Sequence, residues 1–280
     1  MEIFREIKPL RAFLREKNKA GFLIGFVPTM GALHQGHLSL IEASKKAGCF
    51  TVCSIFVNPA QFNNADDLKK YPRTLEEDVK MLQSIGCDVL FSPTAEEVYP
   101  HKSNTHFDFG SLGTTMEGEF RPGHFSGVAL VVSKLFHIVE PDHAFFGQKD
   151  WQQFTIINQL VKDLNFNIQL HPIPTLREQD GLAMSSRNQR LTTAQRAKAI
   201  IFYQSLLECQ SRLATGETLN TISPSIKSKI EQDTELKLEY LQLANRQNLY
   251  SLNSVEEPNQ AVLCIAGFVG DVRLIDNILL

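Results

Sequence analysis

Phe22-Leu23-Ile24-Gly25-Phe26-Val27, running into Pro28-Thr29-Met30-Gly31-Ala32-Leu33-His34-Gln35-Gly36-His37, is the stretch that decides the fold of this 280-residue chain. Its first six residues form an apolar run of strand length. From His37 to Ala47 the apolar residues Leu38, Leu40, Ile41 and Ala43 recur at helical spacing. The order is strand, loop, helix. A second apolar run, Val52 to Val57, stops at Asn58-Pro59, where proline has no N–H to give a sheet ladder. Two strands separated by a helix predict a parallel βαβ unit.

The alternation continues outward from this unit. Thr74-Leu75-Glu76-Glu77 reads as a capping box opening a helix toward Ile85, ahead of a strand at Val89-Leu90-Phe91, and Thr94 with Glu97 offers a second box. Val128 to Val139 reads as a helix, Ala144 to Phe146 as a strand, Trp151 to Leu164 as a helix and Ile168 to Leu170 as a further strand. Residues 1–174 are therefore expected to form a Rossmann-like, doubly wound parallel-sheet α/β domain. Beyond Gln179-Asp180-Gly181 the character changes. Thr193 can cap a long helix from Ala194 to Leu213, with Gly216 just past its end. A helix near Ile222 to Glu231 and strands near Leu238 to Leu243 and Ala261 to Phe268 follow, so 175–280 is expected to be a smaller α+β C-terminal domain.

Composition narrows the function. The formal charge is −3 and no block of Lys or Arg stands out, which excludes the electrostatic footprint of a nucleic-acid or membrane-surface binder. Five scattered cysteines, Cys49, Cys53, Cys87, Cys209 and Cys264, suit neither a disulfide framework nor a zinc knuckle. The N-terminus through Leu10, Phe13 and Leu14 reads as an amphipathic helix, not a signal peptide, and no apolar run reaches the roughly 20 residues that span a bilayer. The expectation is a soluble, cytoplasmic protein with small-molecule partners, no nucleic acid and no membrane.

The chemistry concentrates in two segments. In an open α/β sheet, ligands lie beyond the carboxyl ends of the strands, where the loop Pro28 to His37 falls. Gly31 and Gly36 allow close backbone approach to a base or phosphate, and His34 and His37 stand three apart at a helix start whose orphan N–H groups attract anions. Zinc is a poor fit, because H-x-x-H here lacks the metalloprotease glutamate and has no thiol nearby. The second segment, Gly181-Leu182-Ala183-Met184-Ser185-Ser186-Arg187-Asn188, places two hydroxyls and a guanidinium in a mobile-looking turn, groups able to hold phosphoryl oxygens.

H-x-G-H with a later Ser/Arg loop resembles the nucleotidylyltransferase superfamily. Within it, Pro28 to His37, Ser54 to Phe62, Tyr71-Pro72-Arg73-Thr74, Arg121-Pro122-Gly123-His124-Phe125, Phe146-Gly147-Gln148-Lys149-Asp150 and Met184 to Asn188 together resemble the pantothenate synthetases, or pantoate–β-alanine ligases. The likeness runs through nearly all of residues 22 to 193 and more loosely to Gly270 through Asn277. It implies an ATP-dependent, AMP-forming ligase that condenses pantoate with β-alanine through pantoyl adenylate, with Mg²⁺ accompanying ATP, as a homodimer whose C-terminal domain closes over the active site. It implies that His37 is catalytic, with His34, Lys149, Ser185, Ser186 and Arg187. It gives ATP to Met30, Gly31, Ala32, Leu33, His34, Gln35, Gly36 and His37, to Gly147, Gln148, Lys149 and Asp150, to the backbone of Leu176, and to Met184, Ser185, Ser186 and Arg187. Pantoate falls to Gln61 and Gln153 with Asn58 beside them, and β-alanine also to Gln61. Asp78, with Glu77 as its neighbour, is the carboxylate placed nearest Mg²⁺, although Glu77 also fits a capping role. Glu117 is a further polar candidate. Two positions depart from the family pattern: Gln148 where Glu is usual, and Ala60 where Met is frequent.

Physical chemistry supports these roles. Neutral amides such as Gln61 and Gln153 orient a nucleophilic carboxylate without an ion pair that would lower its reactivity, and Lys149 and His37 meet charge that grows on the phosphoryl group. Three rivals stay open. A transferase using a phosphate nucleophile would want a cationic pocket, a tRNA-binding synthetase relative would want a basic surface, and a non-catalytic binding module would need neither.

Overall fold

The computed structural model describes residues 1–62, 68–69, 71–257 and 259–280, and the chain divides into two compact units. The first comprises Met1–Gln148 and Ile156–Pro174, the second Lys149–Thr155 and Thr175–Leu280.

The first unit is built on a six-stranded parallel sheet. Its strands are β1 (Glu2–Phe4), β2 (Ile24–Thr29), β3 (Phe50–Ile55), β4 (Val89–Phe91), β5 (His143–Gly147) and β6 (Gln169–Ile173), in the spatial order β1-β4-β3-β2-β5-β6. Helices α1 (Ile7–Lys19), α2 (Gln35–Lys46), α3 (Leu75–Ser84), α4 (His124–Val139) and α5 (Trp151–Asp163) connect them. This is the Rossmann-like, doubly wound fold. β2 is buried along nearly its whole length, as a strand covered on both faces must be, whereas Phe22 and Leu23 before it are about half exposed. The strand therefore starts two residues later than the apolar run. From β2 the chain moves to β3 on one side, while β5 pairs with β2 on the other. That reversal makes the loop after β2 the switch point at which an α/β sheet opens a ligand crevice.

The N-terminal reading needs one correction. Glu2–Phe4 is not the start of the helix but a parallel edge strand on β4, and the helix begins at Ile7. Tertiary pairing overrides a helical pattern of so few residues.

The second unit carries a four-stranded antiparallel sheet with helices packed on it. Strands β7 (Leu236–Asn245), β8 (Ser251–Leu252), β9 (Ala261–Val269) and β10 (Val272–Leu279) lie in the order β10-β9-β7-β8. Helices α6 (Ile201–Ala214) and α7 (Leu219–Ile230) bury Phe202, Leu206, Ile222 and Ile226 against Leu243, Leu263 and Ile265. The single long helix expected from Ala194 is two. Thr192, not Thr193, caps a short helix over Thr193–Lys198, with Gln195 completing the box, and the chain tightens at Ala199 and Ile200 before α6 starts. The bond from Phe202 N–H to the Ala199 carbonyl, three residues back, marks that 3₁₀-like constriction.

Candidate functional site

The loop after β2 is held in an unusual backbone path. Thr29 Oγ1 donates to the Ser54 carbonyl at 2.7 Å and accepts from Gly31 N–H at 3.3 Å, so the end of β2 is tied to β3. Gly31 (φ +83°) and Ala32 (φ +49°) then follow in the left-handed region, a conformation that is costly for alanine. Successive residues of this kind turn their N–H groups inward as an anion-binding concavity. Here the anion is the protein's own. Asp78, in the first turn of α3 and 1% exposed, accepts from Ala32 N–H at 3.0 Å and Leu33 N–H at 2.8 Å.

One expectation changes at this point. Thr74 makes no side-chain cap on α3; its hydroxyl donates to Asp78 at 3.2 Å instead, so the expected capping box is absent. Asp78 itself is buried and turned to the backbone of the loop. Among the described residues no group of three or more His, Cys, Asp or Glu side chains could hold a metal ion. The other expected box is half present: Thr94 accepts from Glu97 N–H, but the Glu97 carboxylate reaches across to Ile7 N–H at 2.8 Å.

At the start of α2, His34 takes the capping position usually filled by Ser or Asp. Its Nδ1 accepts from Gly36 N–H at 3.1 Å, and His37 Nδ1 accepts from His34 N–H at 3.3 Å, with the ring centres 4.0 Å apart. An imidazole nitrogen that accepts carries no proton, so each neutral ring carries its proton on Nε2. The capping arrangement therefore fixes both tautomers and makes each Nε2–H a donor. Gln35 and Gly36 occupy the first turn of the same helix.

Beside this loop, Gln61 sits on a one-turn 3₁₀ helix, Pro59–Gln61, and its Nε2 donates to Met30 Sδ. Asn58, beside Gln61, is 1% exposed. Its Nδ2 donates to Gln61 Oε1 and to the Gly127 carbonyl, both at 3.2 Å, while its Oδ1 accepts from Ala60 N–H and from the Tyr99 hydroxyl at 2.9 Å. All four hydrogen-bonding positions of the amide are used internally. Asn58 is thus a brace for Gln61. Burial pushes the Tyr99 hydroxyl up to about 12, keeping it protonated as a donor. His124 adds a hydrogen bond between Nδ1 and the Gln61 carbonyl at 2.9 Å. Gly127 completes the seat, because a Cβ there would lie 2.2 Å from the Ala60 carbonyl oxygen and 2.9 Å from Gln61 Cα. Glu117 is buried in a four-residue helix, Glu117–Phe120.

In the second unit, Lys149 is largely buried, with Nζ 3.9 Å from Asp150 Oδ1 and its carbonyl accepting from Asn277 Nδ2 at 2.7 Å. It follows Gly147 and Gln148 directly in the chain. Gln153 is half-buried on the first turn of α5, which opens with Trp151, the chain's single tryptophan. The Trp151 ring is buried, Nε1 donates to the Arg246 carbonyl at 3.1 Å, and the Arg246 guanidinium lies 5.3 Å from the ring centre.

The segment expected to be a mobile turn is tied down. Met184 N–H donates to the Leu176 carbonyl, Glu178 N–H to the Leu182 carbonyl, and Arg177 pairs with Ala183 across a tight reversal. Arg177 anchors it, with two guanidinium nitrogens on Asp276 at 2.6 and 3.0 Å, further bonds to the carbonyls of Gly181 and Asn277, and its guanidinium carbon 3.8 Å from the centre of the Tyr203 ring. Ser185 Oγ accepts from Arg187 N–H, which opens the 3₁₀ helix Ser186–Arg190. Lys149, Ser185 and Arg187 line one cleft with Phe202, Arg273 and Asp276.

In the first unit Met30 is bonded to Gln61 and His34 is paired with His37, and in the second Lys149, Ser185 and Arg187 line one cleft. The family model described as pantoate-beta-alanine ligase matches residues 2–279. The chain belongs to this ligase family. Among pantoate–β-alanine ligase relatives, the pantothenate synthetase of Cytophaga hutchinsonii is 45% identical over 98% of this chain and 97% of its own, and that of Aquifex aeolicus 44% over 98% and 97%. The crystal structure of pantothenate synthetase from Thermus thermophilus superposes with a TM-score of 0.93 at 39% identity, covering 100% of this chain and 99% of that one. A pantoate-beta-alanine ligase from Francisella tularensis, complexed with beta-gamma ATP and beta-alanine, gives 0.79 at 37%, covering 100% and 97%.

Proposed function

We propose that this pantoate–β-alanine ligase runs in two steps. A pantoate carboxylate oxygen attacks the α-phosphorus of ATP, the bond to pyrophosphate breaks, and pantoyl adenylate forms. The β-alanine amine then attacks the acyl carbon, loses a proton and expels AMP. The observation that carries this reading is the seat of Gln61. A neutral amide, braced by Asn58 and seated against Met30 near the end of β2, suits a carboxylate that must be held without being neutralised. Gln153 is the second proposed pantoate contact, and Gln61 also faces β-alanine.

In this reading His34 and His37 present Nε2–H donors to the phosphates, and charge growing on the transferring group strengthens those bonds. Met30 to His37 supply the nucleotide loop from the first unit. Lys149 gives a compact positive charge, with Ser185, Ser186 and Arg187 meeting phosphoryl oxygens and Gly147 to Asp150, Leu176 and Met184 contacting the nucleotide. Gln148 in place of Glu fits a role through its backbone. Mg²⁺ enters as part of the nucleotide substrate, held mainly by phosphate oxygens and water, since among the described residues no group of three or more His, Cys, Asp or Glu could hold a metal ion. The family likeness also supports a homodimer working in the cytoplasm.

The test is pyrophosphate release from ATP and pantoate, without RNA or β-alanine. Bound pantoyl adenylate and positional isotope exchange in ATP are the expected result. Exchange that absolutely required β-alanine would overturn the two-step order, and release indifferent to pantoate would point to the phosphate-nucleophile rival.

A further inference from the structure

We infer that Asp78 is a positioning residue for the nucleotide loop: its carboxylate clamps the left-handed turn Gly31-Ala32 and thereby sets His34 and His37. The inference rests on the function proposed above for that loop. A buried carboxylate is costly unless donors surround it, and Asp78 has three, the N–H groups of Ala32 and Leu33 and the hydroxyl of Thr74. Two of the three belong to the loop. Ala32, at φ +49°, is the strained member, and its N–H is one of those held. Leu33 precedes His34 directly, and His34 N–H in turn holds His37 Nδ1, so the chain of restraint runs from Asp78 to the donor ring without a gap. Gly31 closes the turn, since a Cβ there would stand 3.1 Å from Asp78 Oδ2 and 3.0 Å from Ile55. The two inward N–H groups would otherwise be a ready phosphate cradle. With Asp78 seated in it, the nucleotide is left to the histidine donors and the helix start.

Asp78→Asn keeps the shape but sets an NH₂ group against one of the two loop N–H donors. Amide hydrogen exchange on the full chain should then show Ala32 and Leu33 losing protection while Phe26 and Val27 in β2 keep theirs. The KM for ATP should rise about ten- to a hundredfold, the scale for a lost hydrogen bond to a charged group, with the pantoate KM little changed. Thr74→Val, which leaves the carboxylate and removes only its hydroxyl partner, should move both readouts the same way by less. It keeps the test open if Asp78→Asn does not fold. Unchanged exchange at Ala32 and Leu33 in a folded variant would overturn the inference, as would loss of activity with both KM values unchanged. Restoration of Asp78→Asn by excess Mg²⁺ would instead make the carboxylate a metal ligand. The exchange readout needs no turnover, so failure of the proposed reaction would be seen separately in the wild type.

Discussion

His37 shows how one hydrogen bond fixes which ring nitrogen can donate. Because its Nδ1 is occupied by His34 N–H, only Nε2 is left to donate. His37→Ala should leave the fold intact and slow adenylation about a hundred- to a thousandfold in single-turnover pyrophosphate release, the usual scale for losing one transition-state donor. His34→Ala should act more on ATP affinity, and it also removes the cap of α2. In the proposed pocket, Gln61→Glu and Gln153→Glu place a negative charge against the substrate carboxylate at constant size. Each should raise the pantoate KM strongly while the ATP KM moves little, and a pantoate KM within about twofold of wild type in both would remove the amides from the pocket. Gln61 and Gln153 were named from the family resemblance, while the strand, glycine turn and helix start that carry His34 and His37 within sixteen residues were legible in the sequence because that signal is local. The duties of Asn58 and Asp78 were not. Asn58 is saturated by Gly127 and Tyr99, and Asp78 is bonded to residues 45 and 46 positions away, partners that no spacing rule connects.

Between elements, the decisive contacts are close approaches. α4 reaches the 3₁₀ turn of Gln61 only because residue 127 is glycine. Gly127→Ala should push the two apart at a cost of about 1–3 kcal/mol in unfolding free energy, and raise the pantoate KM without a matching change for ATP. A denaturant titration alongside separate substrate titrations checks both. The tight reversal at 176–184 depends in the same way on Arg177. Arg177→Lys keeps the charge but loses the paired bonds to Asp276 and the stacking on Tyr203, so backbone exchange at Ala183 and Met184 should quicken. β10 explains why part of the second unit went unread. Its sequence Val-Arg-Leu-Ile-Asp-Asn-Ile-Leu buries Asp276 and Asn277, polar residues that break the alternation by which a strand is recognised. Arg177 pairs with Asp276, and the Lys149 carbonyl accepts from Asn277 Nδ2. The apolar runs that became β2, β3 and β9 had no such interruption.

For the molecule as a whole, the five cysteines are all free and buried. Burial holds Cys87 and Cys209 at about 11 and raises Cys49 and Cys53 as well, with Tyr99 at about 12. A group whose pKa is raised by folding stabilises the native state below its unfolded value and loses that contribution as pH climbs through the folded one. Unfolding free energy should therefore fall above the ordinary thiol range, near pH 9, and continue to fall toward pH 12; a flat urea midpoint across that window would contradict the burial of these groups. At neutral pH the native thiols should ignore a thiol reagent that titrates all five in denaturant. The chain also passes between its two units more than once, at 148/149, 155/156 and 174/175. Cutting at residue 174 would strand Trp151 without Arg246, so the two units are poor candidates for separate expression. That same tryptophan gives the protein a built-in optical gauge. An indole shielded from water and stacked near a guanidinium, two residues from Lys149 and two from Gln153, emits from the neighbourhood to which phosphate and pantoate are assigned. Mixing with ATP, then with pantoate, should step its intensity in sequence, so the order of arrival could be timed in unlabelled protein by light alone.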